Sequence, residues 1–252
     1  MFDIVIPVGP NEIKNIHKQL IFTKKNIIGF RNIYIICYDP TIIIDECIMI
    51  NENIFPFKIS DIADVFSRYN GKNNRNNWYF QPLLKLYVGF VVDGILDKYL
   101  VIDADVFFLK PTEFIVNDKM IFTIGYEYSI PYFKHMTNLH PSFIKNIDKS
   151  GITHHMMFYK KYMQEIFDIV EKYHNMPFWK AFLEMVEEHK NHNPDYIESG
   201  ASEYELYFNY VYKNHNDSII IRSLNWENKP YYYDFNDALY FDFIAICSWK
   251  LC

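Results

Sequence analysis

Asp103 and Asp105 flank Ala104 directly after the apolar run Tyr99-Leu100-Val101-Ile102. Two carboxylates this close repel each other unless a cation lies between them. A carboxylate at the end of a buried strand is costly unless it is paired or bound to metal. Hard divalent ions such as Mn²⁺ or Mg²⁺ take oxygen ligands, commonly one or two carboxylates together with phosphate oxygens. Ligands of open α/β sheets gather at the carboxyl ends of strands. Asp103 and Asp105 are therefore the candidate metal ligands, and the chemistry they suit is a metal carrying a diphosphate. The alternative for a bare pair at this spacing is a turn that Asp103 caps while Asp105 faces water.

Such acids need a scaffold. Ile4-Val5-Ile6, closed by Pro7-Val8-Gly9-Pro10, predicts a buried strand ending in a tight loop. Residues 11–25 predict a helix and Ile33–Cys37 a second strand, closed by Tyr38-Asp39-Pro40. Ile48–Ile50 and Ile54–Phe57 are weaker strand candidates. Residues 67–77 are the most polar stretch and read as a loop. A buried helix follows, with Pro82 expected in its first turn. Tyr99–Ile102 reads as a central strand and Ile121–Tyr126 as another. Residues 130–153, with Pro131 and Pro141, read as irregular. Met163 to Tyr173 and Phe178 to Val186 have helical spacing, and residues 188–201 read as a polar loop. Ser202 and Glu205 have the spacing of a capping box at the start of a third helix. Ile219–Ile221 and Phe241–Cys247 close the chain as strands. Strand alternating with helix predicts an α/β fold, a single unit with a central, mostly parallel sheet flanked by helices. It divides near residue 110, into 1–110 and 111–252.

The 252 residues are half hydrophobic and 19% aromatic, which excludes general disorder and coiled coil. A net charge of −6 argues against a nucleic-acid partner. Only four of the 25 basic residues are arginine, and the wealth of Ile, Asn, Lys and Tyr fits an AT-rich genome, such as a viral one. Cys37, Cys47, Cys247 and Cys252 have no metal-site or redox spacing and read as free thiols in a reducing compartment. With no leader and no apolar run of about 20 residues, a cytoplasmic protein is expected, in a host's cytoplasm if the gene is viral. P-loop, nucleophile-elbow and G-x-G-x-x-G signatures do not occur.

Tyr99–Ile102, then Asp103-Ala104-Asp105-Val106-Phe107-Phe108-Leu109-Lys110-Pro111, resembles the D-x-D segment of GT-A glycosyltransferases, a Rossmann-related fold. Asp3-Ile4-Val5-Ile6-Pro7-Val8 is similar to that fold's first strand, whose loop touches the nucleotide. Trp78-Tyr79-Phe80-Gln81-Pro82-Leu83-Leu84-Lys85 resembles a W-x-x-Q-x-x-x-K helix start that precedes D-x-D. Ser202-Glu203-Tyr204-Glu205 is similar to a segment of a bacterial and viral glycosyltransferase-like group. The resemblance covers most of the chain and implies sugar transfer from a nucleotide diphosphate sugar, a UDP-sugar foremost, with Mn²⁺ or Mg²⁺, to a carbohydrate or glycosylated acceptor. It also implies that Pro7, Val8, Asp39, Trp78, Gln81, Lys85, Asp103 and Ala104 line the donor site. Many members supply a late His to the metal, where this chain has Cys247, either a substitute ligand or a packed thiol.

Three further candidates carry alternatives. In an extended segment, His154 and His155 point to opposite faces, one toward the donor and one toward the core; His155 is taken as the site residue. Glu203 is the expected general base if the transfer inverts, whereas in a retaining transfer its region only orients donor and acceptor; Asp105 is counted with it as a catalytic residue, and Glu205 can serve simply as the capping acid. Lys85 either touches phosphate, pairs with Asp103, or is solvated; Asp39 either contacts ribose or only forms a turn before Pro40. His189 and His192 read as solvated. The rival functions are a carbohydrate- or nucleotide-binding module without catalysis, and a nucleotidyltransferase, for which Val8-Gly9-Pro10-Asn11 is a poor signature loop.

Overall fold

The structure, a computed structural model, describes residues 1–68, 75–187, 199–230, 235 and 240–247. The first strand, β1 (Phe2–Val8), is buried at every position, as its unbroken apolar run requires. Its one acid, Asp3, is wholly buried but fully partnered. Arg31 donates to both its oxygens, at 3.0 and 2.6 Å, and the backbone amides of Asn32 and Leu96 complete the set. Helix α1 (Ile16–Asn26) begins later than residue 11, because Gly9 and Glu12 carbonyls first close turns onto the amides of Glu12 and Asn15. The chain then forms β2 (Ile27–Ile28), β3 (Phe30–Cys37) and β4 (Ile48–Asn51).

Ile54–Phe57 is not a strand. Asn51 accepts from the Asn53 amide and folds residues 52–54 into a 3₁₀ turn, and Phe57 anchors the segment among Phe80, Tyr87 and Trp179. Helix α2 (Ile59–Ser67), missed by periodicity, is started by Asp61, which accepts from the Lys58 amide at 2.7 Å. Helix α3 (Asn76–Val91) starts so early that Pro82 falls inside it rather than in its first turn. α3 lies close on the sheet at Gly89, where a Cβ would come 2.7 Å from the Tyr99 ring.

β5 (Lys98–Ile102) is followed by β6 (Val106–Phe108), β7 (Thr112–Glu113), β8 (Ile115–Val116) and β9 (Lys119–Thr123). Residues 130–139 are helical, contrary to expectation, because Pro131 occupies the first turn of α4 (Ile130–Leu139), where a missing N–H costs nothing. Then come β10 (His155–Tyr159), α5 (Lys160–His174), α6 (Phe178–Glu184), α7 (Glu203–Asn214), β11 (Ile219–Arg222), β12 (Trp226–Pro230) and β13 (Phe243–Cys247).

The molecule is an α/β fold around a five-stranded sheet of order β10-β5-β1-β3-β4, parallel except for the edge strand β10. Smaller sheets are β12-β13-β6, β11-β9-β8 and β2-β7. From β1 the chain runs to β3 and β4 on one side, and β5 returns on the other. The crevice at a reversal of strand order, beside the carboxyl ends of β1 and β5, is where such sheets bind ligands. Among the described residues, no helix is long and apolar enough to cross a membrane.

Candidate functional site

β5 delivers Asp103 to that crevice. The Asp103 carbonyl accepts from the Val106 amide at 3.1 Å, closing a tight turn. Ala104 is buried in it while both acids stay partly exposed. β13 holds the turn from the far side, the Ile246 amide donating to the Asp105 carbonyl at 2.8 Å. The third member comes from the neighbouring strand. His154 precedes β10 in a left-handed conformation, φ 60°, unusual without glycine but tolerated by histidine, and its carbonyl accepts from the Asp103 amide at 2.9 Å. One ligand atom from each of Asp103, Asp105 and His154 lies within 4.8 Å of the others.

His155 is not at this site. It opens β10 opposite Ile102, is 2% exposed, and shares a hydrogen bond with Thr123 Oγ1 at 3.0 Å. Phe108, Phe114 and Phe243 surround its ring, and burial pushes its pKa down to about 3, so it is a neutral core residue. The tandem histidines do divide between crevice and core, in the order opposite to the one expected.

Charge around the acids is uneven. Lys85, 5% exposed on α3, places Nζ 2.6 Å from Asp103 Oδ1 and 2.7 Å from Glu203 Oε1. Tyr204 also donates to Asp103 Oδ1, at 2.7 Å. Oδ2 is left facing His154 Nδ1 at 3.4 Å. Burial pushes the Asp103 carboxyl up, but Lys85 and His154 outweigh it and hold the group well below the usual range. Asp105 moves the other way, to about 6, through burial and then the charge of Asp103. Burial alone would lower the pKa values of Lys85 and His154, yet the facing acids raise both.

Glu203 reaches the site but is 4% exposed and ion-paired to Lys85, a geometry that braces Asp103 and does not suit a free general base. The N-cap at Ser202 forms, its Oγ accepting from the Glu205 amide at 3.2 Å. The Glu205 side chain does not return to Ser202. It accepts from Ser150 Oγ, the Gly151 amide and Lys145, clamping the loop that leads to His154.

Three cavities meet here. The first, about 500 Å³, lies at the ends of β1 and β3 and is lined by Pro7, Val8, Tyr38, Glu12, Glu52, Trp78 and Gln81. The second, about 520 Å³, contains Arg75, Lys85, Asp103, His154, Glu203 and Tyr204, and shares Trp78 and Gln81 with the first. An outer cleft of about 600 Å³ shares Glu127 and Asn228 with the second. Asp39 lines none of them: it accepts from the Thr41 amide and hydroxyl at 2.9 and 2.7 Å and closes its own turn, with Tyr38 facing the first cavity instead. Tyr79 packs in the core and accepts from the Gly200 amide. The Cys247 side chain, His189 and His192 lie outside the described residues. Tyr204, Glu127 and Trp226 are site residues that the sequence did not single out; only Tyr204, inside a quoted motif, carried any local signal.

Residues 16–219 match a family described as "Family of unknown function (DUF6492)", and the chain belongs to that family. No curated protein matches it. Among solved structures, it is similar to the apo crystal structure of mouse xyloside xylosyltransferase 1, at 7% identity, 97% coverage of each chain and a TM-score of 0.45.

Proposed function

We propose that this protein is a metal-dependent glycosyltransferase that takes a sugar from a nucleotide diphosphate sugar, a UDP-sugar foremost, and delivers it to an acceptor hydroxyl. The observation that carries this reading is the Asp103–Asp105–His154 triad, of which Asp103 and His154 line the second of two adjoining cavities. Among the described residues, the lining of the first cavity includes Glu12 and Glu52 and no lysine or arginine. It suits a nucleoside, whose ribose hydroxyls and base N–H groups donate. The second holds Arg75 and Lys85 beside the triad and suits a diphosphate and its sugar.

The donor set fits a divalent cation. Asp103 and Asp105 offer hard oxygens whose repulsion at Asp105 is only partly offset by His154 and Lys85, and His154 adds an imidazole that favours Mn²⁺ over Mg²⁺. Bound there, the cation supplies Lewis-acid neutralisation of the diphosphate leaving group. The protein's share is positioning. Lys85 and Tyr204 occupy Asp103 Oδ1 and turn Oδ2 toward the triad, and Glu203 fixes Lys85 from behind. Trp78 and Gln81, on the wall common to both cavities, border the nucleoside and its phosphates.

Thermal unfolding with a panel of nucleotide sugars, with and without Mn²⁺, tests the reading. A ligand at 100 times its Kd adds about 2.7 kcal/mol, so one nucleotide sugar together with Mn²⁺ should raise Tm, and donor breakdown should follow. Stabilisation without any turnover would favour a binding module. No stabilisation by any member of the panel would reject the donor site.

A further inference from the structure

We propose that the outer cleft is the seat of a neutral saccharide, the acceptor of the transfer; this rests on the transferase reading for its role, though not for the binding itself. The cleft is built from Tyr126, Glu127, Trp226, Ser223, Asn225 and Asn228, with Leu224 the one aliphatic side chain. Two aromatic rings, two amides, a hydroxyl and one carboxylate suit a polyhydroxylated ring. Its C–H faces lie on aromatic surface, and its hydroxyls donate to carboxylate and amide oxygens.

The cleft is preformed. The Trp226 indole stacks on Phe243, with centroids 5.1 Å apart and planes at 11°, and meets the His154 ring edge-on at 5.6 Å. Gly125 pairs with Ser150 in both directions, at 2.8 and 3.1 Å, and packs so closely that a Cβ there would lie 2.6 Å from the Ile152 carbonyl and 3.5 Å from the Trp226 ring. The segment after Gly125 that bears Tyr126 and Glu127 is thereby fixed beside Trp226. Tyr126 is 71% exposed, so its ring is open to a ligand, with Lys149 Nζ 4.2 Å from its centroid.

Charge narrows the ligand class. Among the described residues that line the cleft, Glu127 is the one carboxylate and none is lysine or arginine. A phosphorylated or acidic sugar would meet this carboxylate, and Lys149, the cation beside Tyr126, is not among the lining residues, whereas a neutral sugar gains an acceptor for its hydroxyls. Place matters equally. Glu127 and Asn228 also line the cavity of the triad, so a sugar in the cleft presents a hydroxyl toward the transferred group.

Saturation-transfer NMR of the full chain with neutral methyl glycosides of common hexoses and pentoses tests this, with hexose 6-phosphates as the contrast and Mn²⁺ plus UDP present. At least one methyl glycoside should bind, with its Kd raised five-fold or more in Tyr126→Ala and in Glu127→Gln, and hexose phosphates should bind more weakly. Absence of any glycoside signal, equal binding of the phosphates, or unchanged Kd in both variants would overturn the assignment. The thermal-shift panel on the same samples separates the two readings. Nucleotide-sugar binding without glycoside binding defeats the cleft alone, and glycoside binding without any nucleotide-sugar response upholds the cleft and defeats the transferase.

Discussion

Among the described residues Asp105 has no cationic partner within ion-pair distance, while Asp103 has Lys85 and faces His154, with a further hydrogen bond from Tyr204. Its carboxyl titrates near 6 instead of 3.8. The folded protein therefore binds the proton more tightly than the unfolded chain. Its favourable contribution is complete below pH 3.8 and is lost as the pH rises through 6. Asp105→Asn should thus be more stable than wild type at pH 7 without metal, by about 1–3 kcal/mol, with the gap closing toward pH 4. With saturating Mn²⁺ the order should reverse. Urea unfolding at both pH values, with and without metal, checks both signs; a variant no more stable than wild type in chelator would refute the repulsion. Lys85 has the opposite character. Lys85→Met strands the buried Glu203 and the partly exposed Asp103 and should cost about 3–5 kcal/mol, and adding Glu203→Gln should recover part of it, as a double-mutant cycle would show. The acids were legible in the sequence because an apolar strand ends at them, and Lys85 because it falls in the W-x-x-Q-x-x-x-K resemblance, where pairing with Asp103 was one of three alternatives. The choice between His154 and His155 was not, because it turns on one left-handed residue that resets the alternation of the strand.

Helix α7 shows how local chemistry and tertiary demand divide between neighbouring residues. Ser202 keeps the cap that its spacing announced, and Ser202→Ala should lower stability by about 1 kcal/mol in chemical unfolding. Glu205 was drawn from the cap by three donors 54–60 residues away in sequence, which no local pattern encodes. Glu205→Gln should therefore loosen the 150–154 loop and weaken Mn²⁺ binding several-fold in isothermal titration, while Ser202→Ala leaves metal affinity within two-fold. The same division explains α4 and Ile54–Phe57. Pro131 was taken as a breaker where it is an initiator, and the apolar run at 54–57 supplies anchors to an aromatic cluster without entering any ladder. Strands β1, β3 and β5 were readable because burial on both faces leaves continuous apolar runs. The walls of the outer cleft were not, since Tyr126 and Trp226 are a hundred residues apart and ordinary in their own neighbourhoods.

At the scale of the whole molecule, the core carries its own sensitivity to acid. His135 is 1% exposed, has Nε2 2.7 Å from the Phe182 carbonyl, and is pushed by burial down to about 4 from 6.5. The unfolded chain takes up that proton more readily, so the contribution of His135 is complete above pH 6.5 and declines as the pH falls toward 4. Between pH 7 and 4.5 it should remove about 2 kcal/mol, and His135→Gln, which does not titrate, should show a drop smaller by that amount in urea midpoints. An equal drop in both proteins would show that His135 is not the group responsible.

β10 is the sheet's antiparallel edge, and the residue immediately before it, His154, completes the triad. An outermost strand is ordinarily the first to fray, and its bare side invites pairing with other chains. Here the seam between β5 and β10 ends in Asp103 and His154, tied through backbone as well as side chain. A cation gripped by both would act as a rivet at that seam. Amide exchange at Met156 and Phe158 should slow when Mn²⁺ is added and quicken in chelator, and a preparation stripped of metal should clump sooner on storage. Loading the ion would then protect the shelf life of the fold as well as prepare it for work.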